Sequence, residues 1–227
     1  MSFSDLFIAD ETELAEHYPS RAERVADAIV HAVGLFAAAV GAGALFAFAL
    51  VKGGAALLPA LAAYAACMMA MLACSAVYNL TRPSPARRVL RRLDEAGIFL
   101  MIAGSYTPFA LQLMPPSAAY LATAAVWLAA LAGAVGKVLW PAISDRAWCV
   151  VYLAFAWAGV ALMLPAAQGL PMVAMILLAA GGLLYSGGVL VYLSPHIPYR
   201  RAIWHAIVVL GAALHYSAIL TGVLQVM

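Results

Sequence analysis

Carboxylates, imidazoles and a guanidinium recur at helical spacing in a chain otherwise almost devoid of charge. Glu23, Asp27 and His31 stand four apart, as do Ser75 and Asn79, and again Arg201 and His205. Side chains at i and i+4 share one helix face. Asp94 and Glu95 open an apolar run that meets no further charge until Lys137. Residues of these types can ligate a metal, relay protons or form buried ion pairs. An aspartate one turn inside a membrane helix is costly, roughly 2.5–3.5 kcal/mol if it sat at the helix centre. Asp94 is therefore a candidate functional residue, and it needs a partner.

The elements that must position these groups are set by composition. The chain has 227 residues, of which 67% are hydrophobic and 10% charged, with a mean hydropathy of +0.98. Soluble domains carry about 25% charged residues, so this is a polytopic membrane protein. A soluble enzyme and a nucleic-acid binder are excluded. The first 24 residues are polar and acid-rich, with no apolar core of a secretory signal. They read as a cytoplasmic leader (1–24), in which Phe3, Leu6, Phe7 and Ile8 could dip into the membrane interface. Cys67, Cys74 and Cys149 all lie in or beside apolar runs and read as small buried hydrophobes.

Residues 25–227 resolve into seven apolar spans: about 25–51, 55–80, 93–114, 117–136, 148–164, 171–193 and 202–225. Each is long enough to cross a hydrocarbon core of about 30 Å. Gly53 and Gly54 mark the first turn. The expected fold is an all-α integral membrane protein, a seven-transmembrane-helix bundle. Lysine and arginine choose its orientation. Arg21, Arg24, Arg82, Arg87, Arg88, Arg91, Arg92, Lys137, Arg146, Arg200 and Arg201 fall at one end and Lys52 alone at the other. The N-terminus is expected in the cytoplasm and the C-terminus outside.

That topology gathers Glu23, Asp27, His31, Asn79, Asp94, Glu95, Arg201 and His205 in the inner leaflet, with His215 nearer mid-membrane. Blander readings exist for several of them. Glu23, Asp27 and His31 suit a solvated first turn, Arg201 suits a headgroup anchor, and Ser75 suits close helix packing.

The segments Ser75-Ala-Val-Tyr-Asn79, Leu93-Asp-Glu-Ala-Gly-Ile-Phe-Leu-Met-Ile-Ala-Gly-Ser-Tyr-Thr-Pro-Phe109 and Ile197-Pro-Tyr-Arg-Arg-Ala-Ile-Trp-His205 through His215-Tyr216 resemble the hemolysin III family. This is the bacterial branch of the progestin and adipoQ receptor superfamily, and Glu23 and His31 match its first-helix motif. The resemblance implies a seven-helix bundle with an inner-leaflet zinc site. Its ligands would be one histidine from Ser-x-x-x-His and two from His-x-x-x-His, with a third-helix aspartate holding a metal-bound water. Related enzymes use that arrangement to hydrolyse lipid amides.

This chain departs from the pattern. Ser75 and Asp94 are present, but Asn79 and Arg201 occupy two ligand positions, Glu95 stands where relatives often have histidine, and only His205 matches a ligand. A guanidinium has no lone pair to offer, and an amide is a poor zinc ligand. No metal cofactor is expected. Instead, Arg201 is expected to pair with Asp94 or Glu95, with Asn79 and His205 completing a clasp between helices. The reading that follows is a non-enzymatic membrane protein in the bacterial inner membrane, with membrane lipids as partners, concerned with lipid homeostasis or sensing. The family name adds a link to cytolysis. The alternatives are a metal-dependent lipid amide hydrolase using Ser75, Asp94 and His205, and a proton- or ion-coupled transporter or channel using Asp94, Glu95, His205 and His215.

Overall fold

The structure, a computed structural model, describes residues 14–52, 54–140 and 142–224. The leader residues Phe3, Leu6, Phe7 and Ile8, and Gly53 of the first turn, lie outside the described residues. Seven helices follow: α1 (Arg21–Val51), α2 (Leu58–Leu80), α3 (Ala86–Leu113), α4 (Pro116–Leu139), α5 (Asp145–Met163), α6 (Met172–Tyr192) and α7 (Arg200–Ile219). A 3₁₀ turn precedes α2, another extends α5 over Leu164–Gly169, and a π turn ends α7 over Leu220–Leu224. All seven are long and apolar enough to cross a membrane. Large apolar side chains such as Phe36, Leu121, Leu128 and Leu190 point outward. A lipid-facing surface accounts for that exposure; a soluble monomer would hide so extensive an apolar face.

The helix ends follow local chemistry. The Ser20 hydroxyl accepts from the Glu23 N–H (3.2 Å) and starts α1. Ser144 does the same for Ala147 in α5 (3.3 Å). Pro116 supplies the first residue of α4, where a missing N–H costs nothing. Tyr199, at φ 56° in the left-handed region, turns the chain into α7.

Two starts differ from the sequence reading. Helix α1 begins at Arg21 rather than Val25, and α3 at Ala86 rather than Leu93. In both places the extra turns are charged, and two of their arginines find backbone acceptors within the protein. Arg24 donates to the Leu80 carbonyl (2.9 Å), and the fully buried Arg87 donates to the Ala15 carbonyl of the leader (2.7 Å).

Helix α3 is the central staff, packed between α2 and α4. One core joins α1, α2, α3 and α7 through Leu45, Leu61, Tyr64, Met68, Leu72, Phe109 and Ile219. A second joins α3, α4 and α5 through Phe99, Val126, Ala130 and Trp148. Glycine permits the closest approach of α6 and α7: a Cβ on Gly211 would lie 2.7 Å from the Tyr185 ring. Helix α5 packs against α3 and reaches α6 through Trp157, whose indole N–H donates to Ser186 Oγ (3.2 Å). The space between α3, α5, α6 and α7 is left open as a cavity.

Candidate functional site

The polar residues meet at the basic end of the bundle, in an order that sequence spacing does not reveal. Asp27, on α1, is fully buried and accepts on both oxygens. His205 Nδ1 of α7 lies 2.6 Å from Oδ1, and the Tyr18 hydroxyl donates to Oδ2 (2.5 Å). His31, one turn along α1, places Nε2 3.5 Å from the same Oδ2, and its ring lies 4.4 Å from that of His205, centroid to centroid. The other side of His205 faces Asn79 of α2, with Nδ2 3.4 Å from Nε2. Arg201 Nη1 donates to Asn79 Oδ1 (2.8 Å).

Donor chemistry fixes the polarity of this chain of bonds. A guanidinium can only donate, so Asn79 Oδ1 accepts and its Nδ2 donates. That amide also donates to the Ser75 carbonyl (3.0 Å). His205 must then present a lone pair at Nε2 and its proton at Nδ1, toward Asp27. Arg201, Asn79, His205, Asp27 and Tyr18 thus form one directed sequence tying α7, α2, α1 and the leader together. Burial and the bond to Asp27 raise the Tyr18 phenol above its ordinary value, which keeps it a donor. His17 beside it borders the cavity. Burial, followed by the charges of Arg201, Arg87 and Arg91, pushes its imidazole down to about 3.

The ion pair expected between Arg201 and Asp94 or Glu95 does not form. Arg201 spends its hydrogen bond on Asn79, and Glu95 is engaged elsewhere. Lys137 Nζ of α4 stands 3.0 Å from Glu95 Oε2, and Arg91 Nε stands 3.2 Å from Glu95 Oε1. Arg91 also grips Asp145 of α5 with two bonds of 2.7 and 2.8 Å. Four charges therefore knit α3, α4 and α5. Lys137, which the sequence places in a polar break, is buried in the last turn of α4, against the Trp148 ring. Asp94 lines the cavity with Ser75 within its reach.

The solvated-turn reading of α1 is also corrected: Asp27 and His31 are both buried, and only Glu23 remains partly exposed. His215 lies apart, against the Tyr185 ring at 5.5 Å, and among the described residues no hydrogen bond links it to His205. Tyr18, Arg91, Lys137 and Asp145 are the participants that sequence reasoning missed. Arg91 stands four residues before Glu95, at the helical spacing of the other candidates; nothing in the spacing of Tyr18, Lys137 and Asp145 marks them, although Lys137 is the first charge after a long apolar run.

The cavity has a volume of about 1120 Å³. At the basic end its wall includes His31, Asn79, Asp94, Arg201 and His205; further along α3, α5 and α6 it turns apolar, with Ile102, Phe109, Val160, Leu164, Leu170 and Leu178. One end can hold a polar or anionic group and the rest an alkyl chain. At the ligand positions implied by the resemblance, the donor set does not fit zinc. Asn79 and Arg201 are bonded to each other, and a guanidinium beside the site repels a dication.

Comparison with known proteins agrees with this architecture. Residues 21–216 match the model of the haemolysin-III related family. Hemolysin-3 of Bacillus cereus is 28% identical over 202 residues, which cover 89% of this chain and 92% of that protein. The Hemolysin-3 homolog of Bacillus subtilis (strain 168) is 28% identical over 198 residues, 87% of this chain and 93% of its own length. No solved structure matches the chain. The chain belongs to the haemolysin-III related family.

Proposed function

We propose that this haemolysin III family member is a non-enzymatic membrane bundle that holds a membrane amphiphile in its central cavity and serves lipid homeostasis or sensing. The observation that carries this reading is the two-part wall: a buried polar cluster at one end of a 1120 Å³ space and an apolar lining over the remainder. Such a wall matches a molecule with one polar head and one alkyl chain. The basic end faces the cytoplasm of a bacterial inner membrane in this reading, because eleven of the twelve lysines and arginines lie there. Haemolysis in the relatives' names enters here as a membrane activity of the family. A monomeric pore is disfavoured, since the cavity wall away from the basic end offers few polar groups to a permeating ion.

A second reading, a metal-dependent lipid amide hydrolase, draws on Ser75, Asp94 and His205 around the same cavity. The loss of two ligand positions weighs against it. A proton- or ion-coupled transporter is weaker still, because His215 and the His205 cluster are not joined.

Native mass spectrometry of the detergent-purified protein tests the first reading. One amphiphile per chain is expected in the wild type. It should be depleted in Ser105→Phe, which fills the middle of the cavity from α3, where the native hydroxyl bonds only to the Met101 carbonyl of its own helix. A wild-type protein that retains nothing, or a variant that retains as much, would sink the proposal.

A further inference from the structure

We propose that the head of the amphiphile held in the cavity is a phosphate monoester, gripped by Arg200 and Arg201 of α7 and Arg146 of α5. The inference rests on the amphiphile reading above and adds the chemical class of the head. The occupant it names is a single-chain lipid phosphate.

Charge along the cavity wall does not balance. Arg91, Lys137, Arg146, Arg200 and Arg201 border it, against Asp94, Glu95 and Asp145. Glu95 and Asp145 are already matched by Lys137 and Arg91. Among the described residues, Arg146, Arg200 and Arg201 have no carboxylate within ion-pair distance. Asp94 alone stands against these three. Asp27 is held behind them by Tyr18 and His205 and does not border the cavity. With the histidines uncharged, the wall keeps a surplus of two positive charges beside an apolar chamber. Poor screening there makes a matching anion strongly attracted. A neutral or zwitterionic head would leave the surplus in place.

The donors to meet such a head are in place. A guanidinium carries several N–H groups in a rigid fork. Arg200 spends one on the Tyr192 carbonyl (3.0 Å) and Arg201 one on Asn79 (2.8 Å), which orients both side chains and leaves their other N–H groups unspent. Arg146 is exposed and, among the described residues, has neither a hydrogen bond nor an ion pair. Forks of this kind match the oxygens of a phosphate or a carboxylate. The monoester is the better match, because it carries about two negative charges at neutral pH where a carboxylate carries half as much. Position agrees with this assignment. Arg146 is in the first turn of α5, and Arg200 and Arg201 open α7, so the arginines stand where a headgroup meets water and the chain would run inward. Basic pockets between transmembrane helices on the cytoplasmic side are suited to phosphorylated headgroups.

The full-length protein, delipidated in detergent, is titrated by native mass spectrometry with probes that share one acyl chain: a lysophosphatidic acid, a lysophosphatidylcholine, a fatty acid and a monoacylglycerol. The lysophosphatidic acid is expected to bind about 10–100-fold more tightly than the monoacylglycerol, the yield of one or two charge-assisted hydrogen bonds. That preference should shrink as salt is added. The double variant Arg146→Gln, Arg200→Gln, which spares the Arg201–Asn79 bond, should lose most of the preference while binding monoacylglycerol as the parent does. The wild-type ranking and its salt dependence decide the matter even where the variant fails to fold. Equal binding of all the probes, abolished by Ser105→Phe, would keep the amphiphile reading and overturn the phosphate head. Binding of none would overturn both. A fatty acid that equals the lysophosphatidic acid refutes the dianionic head. Inorganic phosphate that competes as strongly as the lipid phosphate also refutes the inference, because the acyl chain would then add nothing.

Discussion

Removing the Asp27 carboxylate is the sharpest perturbation of the site. In Asp27→Ala the Tyr18 hydroxyl and the His205 Nδ1–H both lose their acceptor, and both residues are buried at 9% and 7% exposure. Each orphaned buried donor costs about 1–3 kcal/mol. Loss of the desolvated charge offsets part of this, yet taking one member out of a buried charged network costs about 3–5 kcal/mol net. Tyr18→Phe removes a single donor to a charged acceptor and should cost about 1.5–3 kcal/mol. In the Asp27→Ala background the same Tyr18→Phe change should cost nothing or recover part of the loss, since it removes a donor that is already orphaned. Thermal unfolding of the four proteins in one detergent, followed by intrinsic fluorescence, closes the double-mutant cycle. A coupling energy of at least about 1 kcal/mol is expected. Equal effects of Tyr18→Phe in both backgrounds would refute the idea that the leader is tied to α1 through this bond.

Arg201→Ala should be milder than loss of a carboxylate's partner, about 1–3 kcal/mol, because it strands only the buried Asn79 oxygen; a loss of 5 kcal/mol in the same melting assay would point to a carboxylate partner instead. Glu95→Gln leaves Lys137 with Asp145, at 4.0 Å, as its remaining counter-charge. It should destabilise by about 3 kcal/mol, and Lys137→Met in that background should recover much of the loss. Gly211→Ala pushes a methyl into the Tyr185 ring and should cost about 1–3 kcal/mol by overpacking, relieved in melting experiments by Tyr185→Leu. His17 titrates near 3 when folded and at its ordinary 6.5 when unfolded. The unfolded state therefore binds its proton first as pH falls. Wild-type stability should drop between pH 6.5 and 3 more steeply than that of His17→Gln, with no difference above pH 7.

The seven helices were legible because length and hydropathy suffice to mark a span, and the lysines and arginines mark one end of each. Helix starts were misjudged where arginines belong to the first turns of α1 and α3, because their charges are satisfied by carbonyls of distant segments such as Leu80 and Ala15. That satisfaction is tertiary and leaves no local signal. Convergence of the polar groups at one level was readable from topology alone, and Asp27, His31, Asn79, Arg201 and His205 do meet there. Partner choice was not readable. Depth along a helix follows from sequence, whereas azimuth follows from packing, and azimuth decides that Arg201 faces Asn79 while Asp27 faces His205. Tyr18 was invisible for a simpler reason: it lies ahead of the Ser20 cap, outside any periodic pattern, and reaches Asp27 only because the leader folds back onto the bundle.

In the proposed function an amphiphile occupies the cavity with its polar group at the Asp27–Arg201 end. Single-tryptophan variants retaining either Trp204 or Trp157 report on that directly. Both border the cavity, Trp204 in the second turn of α7 and Trp157 about 12 residues along α5, roughly 18 Å from its start at 1.5 Å per residue. An amphiphile brominated at the chain terminus should quench Trp157 more than Trp204, and one brominated beside the head should do the reverse, with both effects diminished by Ser105→Phe. Quenching that ignores the position of bromine, or that survives Ser105→Phe unchanged, would contradict the claim.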